Sequence, residues 1–220
     1  MTEAGSHPLN PRKKPRQTRA KVTLDAIFEA TIQLLLSDGL HRLTTTRVAE
    51  RAGVSVGTMY QYFPHKLSLI YALNERYLEA LAEKIEATCQ RHKGAPVQTM
   101  VDALIDTYWD AKTERPEVTR ALYRSVAELD NEELIEAFAK RVDAATLSMF
   151  DTAPQEAFAD LPQVNLALLT VIFGTVRNAF ERNLGGEAER ALRGELKLMC
   201  KAYLTTAARA QRKQIIETAE

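Results

Sequence analysis

The chain has two cysteines in 220 residues, Cys89 and Cys200, and neither sits at a metal-ligand spacing. That excludes a disulfide framework and a cysteine-based zinc site, and it points to a reducing compartment. The four histidines, His7, His41, His65 and His92, fall in the N-terminal tail, two turns and a helix end, so no pair has zinc-ligand spacing. There is no Gly-rich phosphate loop, no His-Glu-x-x-His and no Gly-x-Ser-x-Gly elbow, so the sequence predicts no catalytic residue, no metal and no cofactor. No run of 18 apolar residues occurs, and the first ten residues hold no apolar secretion core, which predicts a cytoplasmic protein with no membrane partner. Period-two strand patterns are also missing, which leaves an all-α chain. At 45% hydrophobic and 26% charged, with 8 prolines, the composition is that of a folded domain rather than a disordered one.

The formal net charge is zero, but its distribution is uneven. Residues 1–66 hold ten Lys or Arg against five Asp or Glu, and the remainder is acidic by the same margin. A basic end on a neutral chain is the electrostatic footprint of a nucleic-acid partner. Within it, Thr44 to Lys66 reads as two short helices joined by a tight turn. Thr44 suits an N-cap, Val48, Ala49 and Ala52 form an inner face, and Gly53 suits a turn with positive φ. Ser55 suits the cap of the next helix, which turns Met59 and Phe63 inward and leaves Thr58, Tyr60, Gln61 and Tyr62 on or near its outer side. This is the layout of a helix-turn-helix reader of double-stranded DNA. A first helix over Thr23–Ser37, with Ile27, Ala30, Leu34 and Leu35 inward and Asp38-Gly39 at its end, completes a three-helix head. Its core is predicted as Ile27, Phe28, Leu34, Leu43, Val48, Met59 and Phe63.

From about Thr23 to Leu73, roughly a quarter of the chain, the sequence resembles the tetracycline-repressor-like (TetR) family of bacterial transcription regulators. The resemblance rests on the apolar first helix ending in Asp38-Gly39 and on the run Thr-Thr-Thr-Arg-Val-Ala-Glu-Arg-Ala-Gly-Val-Ser from Thr44 to Ser55. It also rests on Tyr60-Gln-Tyr-Phe-Pro-His-Lys66 leading into a long fourth helix. It implies a homodimeric, all-helical repressor that leaves its operator when a small molecule enters the C-terminal domain. It says little about which molecule.

The base-facing candidates are Val56, Gly57, Thr58 and Gln61: glutamine can pair with adenine, threonine can touch a thymine methyl, and glycine permits close backbone approach. Thr44, Thr46, Tyr60, Tyr62 and Lys66 are the phosphate candidates, with Arg47 as a helper, in line with the tyrosine and lysine contacts that the resemblance implies. Residues 1–20, with Pro8, Pro11, Pro15 and basic side chains that include Arg16 and Arg19, read as a disordered arm. It either follows the DNA backbone or minor groove or acts as a solubilising tail. The head then occupies 21–66 and a helical ligand-binding and dimerisation body 67–220.

After Lys66, apolar positions from Leu67 to Ile85 run about five turns without a breaker, which predicts a long helix linking head and body, stopped at Gly94-Ala95-Pro96. Further helices are expected near Val97–Lys112, Pro116–Glu128, Asn131–Phe150, Gln163–Leu184 and Glu187–Ala210, with a surface loop over Asp151–Leu161. The last two carry wide apolar stripes that serve either their own core or a four-helix bundle with a second copy. The resemblance implies the second, through Ala167, Val171, Thr175, Phe180, Leu196 and Tyr203. Tyr108, Trp109, Arg120, Tyr123, Arg124 and Phe173 are the effector candidates, for an apolar or aromatic small molecule, although the same side chains also suit a packed core. Local charge leaves the ligand open, because Arg120 and Arg124 favour an anion whereas Asp106 and Asp110 favour a cation. A DNA-binding repressor or architectural protein without an effector is the competing reading.

Overall fold

The computed structural model describes residues 18–126, 131–154 and 158–219. Among them every regular element is an α-helix: α1 (Thr18–Arg42), α2 (Thr45–Ala52), α3 (Val56–Tyr62), α4 (Lys66–Arg91), α5 (Val97–Thr113), α6 (Pro116–Val126), α7 (Glu132–Phe150), α8 (Leu161–Glu181) and α9 (Gly186–Ala219). The all-α expectation therefore holds among the described residues. Most of the arm, including Arg16, lies outside them, as do 127–128 at the expected end of α6.

Helix ends follow the local chemistry, and α1 and α9 depart furthest from the sequence reading. α1 begins at Thr18 and continues to Arg42, whereas the periodicity had placed it at Thr23–Ser37. Nothing between Thr18 and Thr23 breaks a helix, and at the other end Gly39 leaves helical geometry (φ 76°, ψ 171°) for one residue before the turn resumes. α9 likewise runs past Ala210 to Ala219, a stretch with no glycine or proline to stop it. Asp160 caps α8 by accepting the Gln163 N–H at 3.0 Å, with Pro162 in the first turn where a missing N–H costs nothing.

The fold divides into two compact units, the first comprising Met1–Glu79 with Glu117–Leu134 and the second Ala80–Pro116 with Ile135–Glu220. The division falls inside α4. In the first unit, all seven predicted head-core residues are buried, and Leu69, Ile70, Leu73, Val118 and Leu122 join them. The phenyl rings of Phe28 and Phe63 meet with centroids 5.8 Å apart, and Arg76 lies 5.2 Å over the Phe28 ring. The Tyr77 and Thr119 hydroxyls bond at 2.8 Å.

In the second unit, α5 turns Val97, Met100, Val101, Leu104, Ile105, Tyr108 and Trp109 inward, a helical stripe with spacings of three and four. Its acidic stripe of Asp102, Asp106 and Asp110 meets the basic stripe of α9. Asp102 pairs with Lys201 at 2.6 Å, Asp106 with Lys197 at 2.6 Å and Arg193 at 2.5 Å, and Asp110 with Arg193 at 2.6 Å. The reversed order shows that these segments run antiparallel. Burial raises the Asp106 pKa, but hydrogen bonds from Lys197 and Arg193 outweigh it and hold the carboxyl below its ordinary range. Cys89 and Cys200 are both buried, and desolvation pushes each thiol up to about 11, so they pack as inert hydrophobes.

Candidate DNA-binding surface

Two caps and one glycine fix the geometry of the head. The Thr44 hydroxyl oxygen accepts the Arg47 N–H at 3.2 Å and starts α2. Gly53 ends it in the left-handed region (φ 68°, ψ 29°), where its N–H bonds back to Ala49 and Glu50. The Ser55 Oγ accepts the Thr58 N–H at 3.0 Å and lies 2.8 Å from the Thr58 hydroxyl, which starts α3. α3 has only seven residues, too few for stability in isolation, so its cap and its inner contacts hold it. Those contacts come from Met59, fully buried, and from Phe63 just beyond the helix, whose N–H bonds to the Met59 carbonyl at 2.9 Å.

With Met59 inward, the opposite side of α3 is left to solvent. Val56, Gly57, Tyr60 and Gln61 are exposed, and Thr58 and Tyr62 are half-buried. A Cβ built on Gly57 would meet nothing closer than the Ser55 Oγ at 3.8 Å, so the fold itself has room for a side chain there. Thr44, Thr46 and Arg47 are exposed beside this face.

Several candidates carry structural duties that the sequence did not reveal. Arg47 forms an ion pair with Asp38 and donates to the Arg42 carbonyl at 2.8 Å, tying α2 to the end of α1. The Arg47 hydrogen bond also draws the Asp38 carboxyl below its ordinary pKa. Lys66 donates to the Leu40 carbonyl at 3.3 Å. Tyr62 leans on Phe63, ring centroids 6.2 Å apart. His65 caps α4, a role its sequence position did not suggest: its Nδ1 accepts the Ser68 N–H at 3.1 Å, and the Ser68 hydroxyl donates to the His65 carbonyl at 2.7 Å.

The effector candidates fall in both units. In the second, the Tyr108 ring stacks on Phe173 with centroids 4.3 Å apart, and Phe173 meets Phe138 at 5.9 Å. Trp109 is 2% exposed, and its indole N–H donates to Glu189 at 2.7 Å. Lys112 is also buried, 5.4 Å over the Tyr108 ring, and desolvation pulls its pKa down to about 7. The spacing Leu104, Tyr108, Lys112 is the signal that placed this lysine inward. Asp106 is paired within the chain to Arg193 and Lys197 of α9, and Asp110 to Arg193. Arg120, Tyr123 and Arg124 belong to the first unit, where both arginines line a cavity of about 370 Å³ beside the end of α1.

Among the dimerisation candidates, Phe180 and Leu196 are buried in their own chain, 8% and 1% exposed, and belong to the core of the second unit. Val171 and Tyr203 are exposed, while Ala167 and Thr175 are half-buried. Leu166 and Leu198, which the sequence reading did not single out, and Met199 of the apolar stripe extend the exposed apolar surface on α8 and α9.

Two family descriptions match the chain: "Bacterial regulatory proteins, tetR family" over residues 27–73 and "Tetracyclin repressor-like, C-terminal domain" over 96–204. The nucleoid occlusion factor SlmA of Actinobacillus pleuropneumoniae is 32% identical over 136 residues, 61% of this chain and 66% of that protein. The match thus spans just under two thirds of that relative's length. A TetR-family transcriptional regulator from Streptomyces coelicolor superposes with a TM-score of 0.61 at 25% identity, covering 84% of this chain and 99% of the other. A TetR transcription regulator from Haloarcula marismortui shares the fold, with a TM-score of 0.67 at 21% identity over 85% of this chain and 98% of its own.

Proposed function

Since the chain belongs to the tetracycline-repressor-like (TetR) family of DNA-binding transcription regulators, which are not enzymes, we propose that it acts as a homodimeric repressor on a roughly palindromic operator and is released by a small molecule. The observation that carries this reading is the outer face of α3, where Val56, Gly57, Tyr60 and Gln61 stand exposed on a helix held from behind by Met59 and Phe63. Gln61 and Thr58 read base edges there, Gly57 lets the backbone close on the groove, and Thr44, Thr46, Tyr60, Tyr62 and Lys66 hold phosphates. Arg47 sets the angle of α2 through Asp38 rather than contacting DNA first. The basic arm, with Arg16 and Arg19, adds counterion release.

Dimerisation joins the exposed apolar residues of α8 and α9 to their copies across a two-fold axis. Two heads then enter successive major grooves about 34 Å apart, so a shift of a few ångströms in their spacing removes most specific contacts. α4, shared by both units, is the element through which an effector alters that spacing.

The test is a gel-shift titration at fixed salt on an operator fragment selected from random duplexes. Tyr60→Phe and Lys66→Ala weaken binding while circular dichroism stays unchanged; full affinity in both variants defeats the phosphate assignment. Sedimentation of the unmodified chain at micromolar concentration gives a dimer, and Val171→Glu or Leu198→Glu gives a folded monomer. A second reading is supported by the name of the 32% identical relatives, nucleoid occlusion factors: a DNA-organising protein without an effector. Loss of operator binding on adding one compound from a metabolite panel rejects it.

A further inference from the structure

The cavity in the first unit sets two arginines of α6 against apolar residues at the edge of the head core. Its apolar wall comes from Leu35, Leu36 and Leu40 near the end of α1 and from Ala121 on α6, and its polar wall includes Arg120 and Arg124. The two arginines lie four residues apart on α6, one helical turn, and both reach the same cavity. Among the described lining residues, Glu117 supplies a carboxylate and His41 an imidazole beside the two guanidinium groups. At about 370 Å³ the space falls at the small end of the roughly 300–1,000 Å³ typical of ligand sites.

We propose that this cavity is a binding site for a small amphipathic anion, a carboxylate on a short apolar body, with Arg120 and Arg124 holding the carboxylate and the leucines of α1 holding the tail. Guanidinium groups suit this task, because their planar fork matches a carboxylate and stays charged at all working pH values. The placement also gives the ligand leverage. Gly39, on the cavity wall, is the non-helical residue of α1, and its neighbours are the joints of the head: Asp38 holds Arg47 of α2, and the Leu40 carbonyl holds Lys66 of α4. A tail wedged against Leu36 and Leu40 bears on both joints and therefore on the angle of the DNA-reading helices. This site rests on the effector-released reading above, for which it names the ligand class and moves the site from the aromatic cluster of the second unit to the first.

The experiment is calorimetric titration of the full chain with octanoate, and with 1-octanol and octylammonium as neutral and cationic counterparts, alongside a gel shift on the selected operator. Octanoate is expected to bind at least tenfold more tightly than either counterpart. Arg124→Glu and Leu36→Glu, both at exposed positions where the fold tolerates a carboxylate, are expected to lower octanoate affinity at least tenfold with unchanged circular dichroism. No octanoate binding by the unmodified chain, or equal binding by the two variants, overturns the site. Operator release is read separately. If octanoate binds through Arg124 yet leaves the operator complex intact, the site stands and the effector role falls. If octanoate releases the operator equally from the unmodified chain and Arg124→Glu, the effector role stands and this site falls.

Discussion

Replacing Gly57 with alanine is expected to move stability and DNA binding in opposite directions. Gly57 lies inside α3 in ordinary helical geometry, so alanine there fits the backbone and lowers the conformational entropy of the unfolded chain. An added Cβ would sit 3.8 Å from the Ser55 Oγ, an ordinary contact, so no internal clash opposes the gain. Helix propensity puts the stabilisation at about 0.5–1 kcal/mol. For a chain of this length that is a rise in unfolding midpoint of roughly 1–4 °C by calorimetry. On the DNA side the methyl group occupies space into which the groove must close, an overpacking penalty of about 1–3 kcal/mol per head. Two heads bind together, so operator affinity is expected to fall at least tenfold, and by about a hundredfold at 1.4 kcal/mol per head. Circular dichroism melting and gel-shift titration on the same preparation read both effects. A variant that melts higher and binds the operator as tightly as the parent refutes the placement of Gly57 against DNA; one that melts lower refutes the packing.

Ser55→Ala removes the cap of α3 and is expected to destabilise the head by about 1 kcal/mol, whereas Ser55→Gly recovers most of that loss, as melting of the two variants will show. For Lys112, whose folded pKa is lowered to about 7, the unfolded chain binds the extra proton between pH 7 and 10.5, so stability rises with pH across that window. The rise is at most about 1.4 kcal/mol per pH unit. Lys112→Met is expected to flatten that slope in denaturant titrations at several pH values and to be the more stable protein at pH 7. The folded pKa of the Asp106 carboxyl is lowered too, but by pairing rather than desolvation, so its contribution is present above the unfolded value and is lost as pH falls through the folded one. A double-mutant cycle of Asp106→Asn with Lys197→Met at pH 7 is expected to show a coupling of roughly 1 kcal/mol or less, because both groups are partly solvated.

The head was legible because its chemistry is local. Thr44, Gly53 and Ser55 each act within four residues of themselves, and the inward positions Val48, Met59 and Phe63 follow from helical spacing alone. The bounds of α5 and α7 were readable to within one residue, whereas α8 starts two residues before and ends three before its expected bounds, with Pro162 inside its first turn. Pairings distant in sequence were not legible. Asp106 meets Arg193, 87 residues away, and this tertiary contact ties α5 to α9. Arg47 and Lys66 look like free cations in the sequence, yet they hold Asp38 and the Leu40 carbonyl. Burial divides the stripe on α8 and α9 in a way that periodicity did not: Phe180 and Leu196 face inward, whereas Val171, Leu198 and Met199 face out. The effector candidates were grouped by residue type, and the fold distributes them between two units.

The most direct measurement is selection of bound duplexes from a random pool by the full-length protein, repeated with Gln61→Ala. The unmodified chain should enrich an inverted repeat whose half-site centres lie about one helical turn apart, roughly 34 Å, and Gln61→Ala should lose preference at one adenine per half-site at a cost of about 1–3 kcal/mol. Enrichment of no sequence, or of the same symmetric sequence with undiminished preference by Gln61→Ala, would contradict a reading in which the exposed face of α3 recognises the operator.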